Sequence, residues 1–264
     1  MTIKFYENSH RYRMSLELDG DKDDWAPGVT TIINKTKPKN LVGWASEMVA
    51  QHSYNLWETD SLIPLMQEGR DSFVAWARAL PNQQRDKAGE RGTSIHAYAE
   101  QLAAGKPVDV PPHLLGPVQN AARFMDDWGY DPVLTEVPVG NRTHWYCGKL
   151  DGVGDTHRGL ALIDFKTGGR VWEEAAFQAC AYRHAETFSD DDGTEYPMPA
   201  VEWTLAVHLT DDGYGVFPLE TGEKVWAEFQ AMRLLYDAYR DAAPTRGRVG
   251  YVGLALDAPS GDAA

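Results

Sequence analysis

The sequence has little cysteine and no long hydrophobic run. Its 264 residues include two cysteines, Cys147 and Cys180, which are too few to provide the four thiolate ligands of an iron–sulfur cluster. We therefore expect no such cluster, and two packed thiols of a reducing compartment rather than a disulfide. No apolar run reaches the roughly 20 residues that span a membrane, and no signal-peptide pattern opens the chain. These absences predict a cytoplasmic protein without a membrane partner.

Basic residues are scarce as well. The chain carries 25 Lys and Arg against 39 Asp and Glu, which gives a formal net charge of −14. Proteins that bind nucleic acids usually present a basic surface, so this balance argues against strong non-specific binding. Basic residues nevertheless cluster at 35–39, 85–91 and 246–248, and acidic residues cluster at 21–24 and 190–192. Any binding to a polyanion is expected to be weak and sensitive to salt.

Residues 148–168 contain the densest group of chemically useful side chains. The short apolar segment 160–163 predicts a buried strand, and residues 156–159 predict the turn before it. A regular hairpin centred on this turn places Asp151 opposite Asp164, with Cβ atoms roughly 5 Å apart. Two carboxylates are therefore predicted to meet at the end of an apolar strand.

Asp164 and Lys166 lie two positions apart, so they share one face of the predicted strand. Two carboxylates this close repel each other unless a proton or a cation intervenes. Oxygen ligands favour Mg²⁺ or Mn²⁺, ions that also bind phosphate oxygens, lower the pKa of bound water and polarise a phosphoryl group. Lys166 would orient or activate that water. The alternative, a surface hairpin with scattered charges, does not explain why a charged pair directly ends an apolar strand.

The pattern of Asp151 followed by Asp164-Phe165-Lys166 resembles the metal-binding core of the PD-(D/E)XK nuclease superfamily. The Gly-Thr-Ser-Ile-His segment at 92–96 and the Gln-Ala-Cys-Ala-Tyr segment at 178–182 resemble two further motifs of its RecB-type exonuclease branch. The order along the chain also matches that branch: His96, Asp151, Asp164, Lys166, Gln178 and Tyr182. The resemblance covers residues 90–210, and the Val-Thr-Thr-Ile opening at 29–32 with the Trp-containing helix after it is similar to phage-encoded members.

The resemblance implies a DNA exonuclease that depends on Mg²⁺ or Mn²⁺ and acts in phage recombination, replication or repair, in the host cytoplasm. Its substrate would be linear DNA, single- or double-stranded, and recombination or replication proteins would be its partners. One or two ions would bind to His96, Asp151, Asp164 and the main-chain carbonyl of Phe165. Lys166 would orient the attacking water.

Four further residues receive a predicted role beside a plain structural alternative. Gln178 and Tyr182 are four positions apart on a predicted helix and share a face, so they could contact DNA by hydrogen bonding or stacking. The alternative is a tyrosine packed on the sheet. Glu136 resembles an acidic position of the family, and a strand-edge glutamate is an equal alternative. Glu100 lies one turn after His96, where it would support the site or be solvated.

Two other classes of function stay open on the same fold. One is a structure- or sequence-specific endonuclease of resolvase type. The other is a non-catalytic DNA-binding module, which the acidic net charge favours and the intact Asp-x-Lys pattern disfavours.

The order of predicted elements indicates an α/β or α+β fold. We expect a PD-(D/E)XK, restriction-endonuclease-like core with a mixed sheet flanked by helices. Residues 1–106 are assigned to an N-terminal hairpin and helical subdomain that contributes His96, residues 107–253 to the nuclease core, and residues 254–264 to a disordered tail. Helices are predicted at 30–36, 41–57, 61–80, 82–104, 111–128, 171–187 and 223–242. Strands are predicted within 3–18, 132–140, 144–155, 159–166, 201–209 and 213–219, with a charged loop at 18–28.

Overall fold

The computed structural model describes residues 3–15 and 23–241. Within these residues the chain forms seven α-helices and twelve β-strands. The helices are α1 Val29–Thr36, α2 Val42–Glu58, α3 Leu62–Gln67, α4 Arg70–Ala103, α5 Leu115–Trp128, α6 Glu174–Arg183 and α7 Glu223–Asp241. The strands are β1 Ile3–Tyr6, β2 Arg11–Ser15, β3 Asp23–Ala26, β4 Asp131–Thr135, β5 Pro138–Asn141, β6 Tyr146–Lys149, β7 Gly152–Asp155, β8 Ala161–Lys166, β9 Thr187–Ser189, β10 Glu195–Pro197, β11 Trp203–Leu209 and β12 Tyr214–Pro218.

The largest of three sheets has the strand order β12-β11-β8-β7-β4. Strand β8 runs parallel to β11, and the other neighbours in this sheet are antiparallel. The second sheet has the order β10-β9-β5-β6, and the third has the order β1-β2-β3. The fold is therefore mixed α/β of the α+β type, as the sequence predicted.

Strand β8 is the middle strand of the largest sheet, and both of its faces are covered. Ala161, Ile163 and Phe165 pack with the buried residues of α4 and α5. Leu162 packs on the opposite side with those of α1, α6 and α7. This alternation is the period of two of a strand, and it assigns Asp164 to the face of Leu162.

The predicted hairpin between β7 and β8 is confirmed. Gly152 pairs with Ile163, and Gly154 pairs with Ala161. The connecting turn is closed by two main-chain hydrogen bonds between Thr156 and Gly159, of 3.0 and 3.1 Å. Gly159 has a φ of +108°, a value that glycine adopts readily. Extended by one residue, this register places Asp151 opposite Asp164.

Two of the predicted strands are each divided in the structure. The predicted strand at 132–140 is interrupted at Glu136, whose φ is +54°, and its halves β4 and β5 join different sheets. The predicted strand at 144–155 is divided in the same way into β6 and β7. At the crossing point the Glu136 N–H donates to the main-chain oxygen of Asp151 at 3.0 Å. The two interruptions thus bring Glu136 and Asp151 together.

The predicted boundary between two helices, at residues 80–82, is wrong. The chain breaks earlier, at Gly69, where φ is +107°, and α4 then continues without interruption through Pro81. Proline normally disrupts a helix interior because it lacks an N–H and crowds the preceding turn. Here Leu80, next to it, is buried, so packing holds the helix together across the proline.

Three further segments differ from the sequence-based prediction. The predicted loop at 18–28 contains strand β3 in its described part, strands β9 and β10 were not predicted, and α6 is shorter than the predicted helix at 171–187. The predicted tail at 254–264 lies outside the described residues. No helix within 3–15 and 23–241 combines the length and the apolar composition needed to cross a bilayer.

Candidate active site

A histidine and two carboxylates meet where β4, β7 and α4 come together. His96 projects from α4, and its Nδ1 lies 3.3 Å from Asp151 Oδ2. The same Asp151 oxygen accepts a hydrogen bond of 2.7 Å from the Phe165 N–H, which fixes the carboxylate against β8. One ligand atom from each of His96, Glu136 and Asp151 lies within 4.8 Å of the other two. These three groups could therefore share one ion.

Burial and neighbouring charges shift the pKa values of all three groups. Burial lowers the pKa of His96, but the carboxylate of Asp151 outweighs it and raises this pKa to about 9. Burial works against ionisation of Asp151 too, yet His96 and Lys166 keep its pKa below the usual range. Burial and the charge of Asp151 raise the pKa of Glu136, which Lys149 partly opposes from 2.7 Å. Without a metal ion, the proton on His96 and the ammonium group of Lys149 therefore compensate the negative charge of the two carboxylates in the cluster.

A chain of polar contacts runs from Asp164 to the helix α6. Lys166 Nζ lies 2.6 Å from Asp164 Oδ2 and donates a 3.0 Å hydrogen bond to Gln178 Oε1. The Gln178 amide in turn donates to the Tyr182 hydroxyl at 3.2 Å. Asp164 and Gln178 thus orient the ammonium group of Lys166. The prediction that Asp164 and Lys166 share one face of the strand is confirmed.

Asp164 is the most deeply buried carboxylate of the site. Its side chain is 2% exposed, and no described residue donates a hydrogen bond to its Oδ1. Burial raises the pKa of Asp164 to about 6, and the charge of Asp151 adds to this effect while Lys166 opposes it. A buried carboxylate oxygen without a donor is costly unless a proton or a cation faces it.

These observations fit a divalent cation bound to His96, Glu136 and Asp151. Carboxylate oxygens suit Mg²⁺ and Mn²⁺, and one imidazole nitrogen is compatible with Mn²⁺. Asp164 does not belong to the three-residue cluster, because its carboxylate faces Lys166 instead. A direct bond from Asp164 or from the Phe165 carbonyl to the ion stays a prediction. The free Asp164 Oδ1 is the atom best suited to face a second cation or one of its waters.

An open cleft of ≈ 410 Å³ leads to the site. His96, Lys166 and Gln178 line its floor, and Trp172 lines its wall. The guanidinium carbon of Arg170 lies 3.5 Å from the centre of the Trp172 ring, and Lys39 Nζ lies 5.7 Å from it. A large ring, 45% exposed, thus lies near two cations beside the candidate site.

The predicted accessory residues lie in different surroundings. Gln178 lines the cleft, whereas Tyr182 is only 3% exposed and packs against the backbone at Gly148. The predicted stacking of Tyr182 on DNA is therefore corrected: the ring is covered by the protein, and its hydroxyl positions Gln178 instead. Glu100 is exposed beside a small recess next to His96, outside the three-residue cluster.

Sequence reasoning missed several residues of the site. The Lys149 partner of Glu136 follows Gly148 by one residue, but it was not assigned a role. Arg170 and Trp172 of the cleft wall were not singled out either, whereas Lys39 belongs to the basic cluster noted at 35–39. An Arg-x-Trp sequence in a glycine-containing segment directly after Lys166 was the available signal.

Comparison of the chain with protein-family models found no match, and comparison with curated proteins found none either. The geometry of the site therefore carries the functional interpretation.

Proposed function

We propose that this protein is a metal-dependent deoxyribonuclease of the PD-(D/E)XK type, an exonuclease similar to the RecB branch, that hydrolyses phosphodiester bonds in linear DNA. One observation supports this proposal above the others. The potential ligands His96, Glu136 and Asp151 lie beside the Asp164–Lys166 ion pair. His96 and Lys166 also line the open cleft, and His96 shares a small recess with Glu136 and Asp151.

The proposed cofactor is Mg²⁺ or Mn²⁺, held by His96, Glu136 and Asp151, with Asp164 oriented toward the same region. When bound, such an ion neutralises phosphate charge and lowers the pKa of water. Asp151 is well placed to keep a fixed orientation, because the Phe165 N–H holds one of its oxygens.

Lys166 would orient the attacking water and offset charge that develops on the phosphate. Its ammonium group has three hydrogens, of which two point to Asp164 and Gln178. The third remains for a water or a phosphate oxygen in the cleft. The buried Tyr182 thus positions Gln178, and Gln178 in turn positions the ammonium group of Lys166.

The wall of the cleft offers contacts for the substrate. Lys39 and Arg170 supply positive charge for phosphates, and the exposed Trp172 ring offers a surface on which a base can stack. The cleft of ≈ 410 Å³ lies at the lower end of the roughly 300–1,000 Å³ that small-molecule sites occupy. It therefore suits a nucleotide unit rather than the full width of a duplex.

Cleavage assays with defined DNA forms test the proposal. Purified protein with Mn²⁺ should degrade linear DNA, leave covalently closed circles intact and lose its activity in a chelator. Cleavage of circles would favour the endonuclease alternative. Binding in Ca²⁺ without cleavage in Mg²⁺ or Mn²⁺ would favour a non-catalytic module.

Substitution of Lys166 separates metal binding from chemistry. In Lys166→Gln, cleavage should fall by roughly 100-fold or more, the usual scale for a group that assists proton transfer. Mn²⁺ should bind at least as well as to the wild type, because the carboxylates remain and one repelling cation is gone. Calorimetric titration and a cleavage time course measure the two effects. Lys106→Gln, an exposed lysine that does not line the cleft, is the matched control, and Mn²⁺ affinity lost in Lys166→Gln would contradict the assigned role.

A further inference from the structure

We call the open cleft at the candidate active site the active cleft. Helix α1 separates it from a second concave surface. Thr30 and Asn34 face the active cleft, whereas Thr31 and Lys35 line two smaller clefts of ≈ 190 and ≈ 240 Å³. Both smaller clefts are also lined by Tyr236 and Arg240 of α7. The two clefts therefore adjoin each other, and we call them together the α1–α7 groove.

The α1–α7 groove combines basic and aromatic side chains. Its basic residues are His10, Arg11, Lys35 and Arg240, and its aromatic residues are Trp25, Tyr236 and Tyr239. Among the described residues, no Asp or Glu lines it. In a chain with a formal net charge of −14, such a surface is a local exception, and it attracts polyanions.

One nearby carboxylate does not cancel this charge. Asp237 lies 3.5 Å from Arg240, but it also pairs with Arg233 at 2.6 Å. One negative charge is thus shared between two guanidinium groups. Arg11 and Lys35 are not part of these ion pairs, and their positive charges remain on the groove surface.

The aromatic rings are placed to meet flat ligands. Tyr239 is 54% exposed at the rim, and the Arg11 guanidinium lies 3.8 Å from the centre of the Trp25 ring. Guanidinium planes and exposed rings are both surfaces on which unpaired bases stack. Bases inside a duplex are already stacked and cannot make such contacts.

We propose that the α1–α7 groove binds single-stranded DNA, as a second contact site for the strand whose end lies in the active cleft. This inference rests on the proposed function, which gives the direction of the strand. It adds the class of substrate, single-stranded DNA, and the path that the strand follows over the protein. A strand that leaves the active cleft would cross α1, whose full width is roughly 10–12 Å, and would lay its phosphates against Arg11 and Lys35. The groove would thus select DNA with an unpaired segment long enough to span α1.

Binding of oligonucleotides of two lengths tests this path. Labelled single strands of about 4 and about 16 nucleotides, lengths that bracket common single-strand site sizes, are titrated in Ca²⁺ by fluorescence anisotropy. Tyr239→Ala and Lys35→Gln should each weaken binding of the longer strand by roughly 5- to 10-fold, since a stacked base contributes about that much or more. Binding and cleavage of the shorter strand should not change.

Two substitutions serve as matched controls. Tyr54, on α2, is also 54% exposed, and Lys224 lies in the first turn of α7, some 22 Å along the helix from Tyr239. Tyr54→Ala and Lys224→Gln should leave the affinity for both strands unchanged. All four residues are exposed, so melting temperatures close to that of the wild type are expected and are measured for each variant.

Heparin, a polyanion without bases, separates charge from stacking. Lys35→Gln should weaken heparin binding as it weakens DNA binding, whereas Tyr239→Ala should weaken DNA binding alone. Wild-type affinity of Tyr239→Ala for the longer strand, or an equal loss for both lengths, would overturn the inference.

The same measurements distinguish this inference from the proposed nuclease activity. If the wild type cuts no DNA but binds the longer strand through Tyr239 and Lys35, the groove inference stands and the proposed nuclease activity is wrong. If the wild type cuts DNA and both groove variants bind and cut like it, the proposed nuclease activity stands and the groove inference is wrong.

Discussion

At the scale of single residues, the site is organised by charge compensation. Each of its three carboxylates faces one cationic partner: Asp151 faces His96, Glu136 faces Lys149, and Asp164 faces Lys166. Because these groups are largely buried, an uncompensated charge would cost several kcal/mol, on the order expected for a broken buried pair. A divalent ion in the cluster would replace the proton of His96 and the ammonium of Lys149, so metal binding is an exchange of cations.

This exchange predicts that metal affinity depends on pH. The Asp151 carboxylate raises the pKa of His96 to about 9, so the metal-free imidazole is protonated at neutral pH and must lose a proton to bind an ion. Mn²⁺ affinity should therefore rise by roughly 10-fold per pH unit between about pH 7 and 8.5. Calorimetry in buffers with different ionisation enthalpies should record about one proton released, and a pH-independent affinity would contradict the prediction.

The same shift has the opposite effect on the stability of the metal-free protein. The folded-state pKa of His96 lies above its unfolded value of 6.5. The His96–Asp151 contribution to the free energy of unfolding is therefore fully present below pH 6.5 and is lost as the pH rises through about 9. Denaturant titrations of metal-free wild type and His96→Gln should converge as the pH increases over this range.

Glu136 and Glu100 form a matched pair for testing the ligand set. Glu136 belongs to the three-residue cluster, and Glu100 lines the same small recess without belonging to it. Glu136→Gln should reduce Mn²⁺ affinity by roughly 10-fold or more, because it removes a charged oxygen ligand. Glu100→Gln should bind Mn²⁺ like the wild type, and equal losses in both variants would show that general negative charge, rather than ligation, attracts the ion.

At the scale of elements, the hairpin of β7 and β8 is the part of the site that the sequence predicts best. Its signals are local: an apolar run, a glycine-containing turn, and a midpoint that pairs Asp151 with Asp164. The participation of Glu136 could not be predicted in the same way. It depends on a positive φ at a non-glycine residue and on a chain that changes sheets there, and neither leaves a periodic pattern in the sequence.

Helix α4 shows the same limit. Pro81 and its neighbours predict a boundary, but the structure continues the helix to Ala103 and so fixes His96 on a long rigid element. Tertiary packing at Leu80 overrides the local preference of proline. The position of His96 relative to Asp151 is therefore a property of the packed helix, although the presence of His96 was predicted from its sequence motif.

The contact between β6 and α6 gives a test at this scale. A Cβ atom at Gly148 would overlap the ring of Tyr182, which is buried and cannot move away. Gly148→Ala should destabilise the protein by about 1–3 kcal/mol, the usual cost of overpacking a core. Because the same ring positions Gln178 and, through it, Lys166, cleavage by the folded variant should also fall. Urea denaturation and the cleavage rate measure the two effects.

Gly89→Ala is the control for this substitution. Gly89 lies within α4, and a Cβ there meets no atom within 4 Å. Alanine should stabilise this position by roughly 0.5–1 kcal/mol, because it is a better helix former than glycine. Equal stability of Gly148→Ala and wild type would mean that Tyr182 is not held against β6 as described.

At the scale of the whole molecule, net charge and local charge have opposite signs. The chain as a whole repels DNA, with a formal net charge of −14, while Lys39, Arg170 and Lys166 line the active cleft. Long-range repulsion is screened by salt, as is the attraction of phosphates to the cleft. Local contacts therefore have to supply the binding energy, and a strand is held only where phosphates reach these cations directly.

The salt dependence of binding to the cleft measures how many of these contacts form. Each phosphate neutralised by a protein cation contributes about 0.7 to the slope of log affinity against log salt for a single strand. Lys39→Gln and Arg170→Gln should each reduce the magnitude of this slope by roughly 0.7–1, in Ca²⁺ and with a strand of about 4 nucleotides. Lys106→Gln, which removes the same unit of net charge from an exposed site away from the cleft, should shift affinity slightly and leave the slope unchanged. If all three variants change the slope equally, the cleft does not hold the phosphates, and the binding of DNA follows from the overall charge alone.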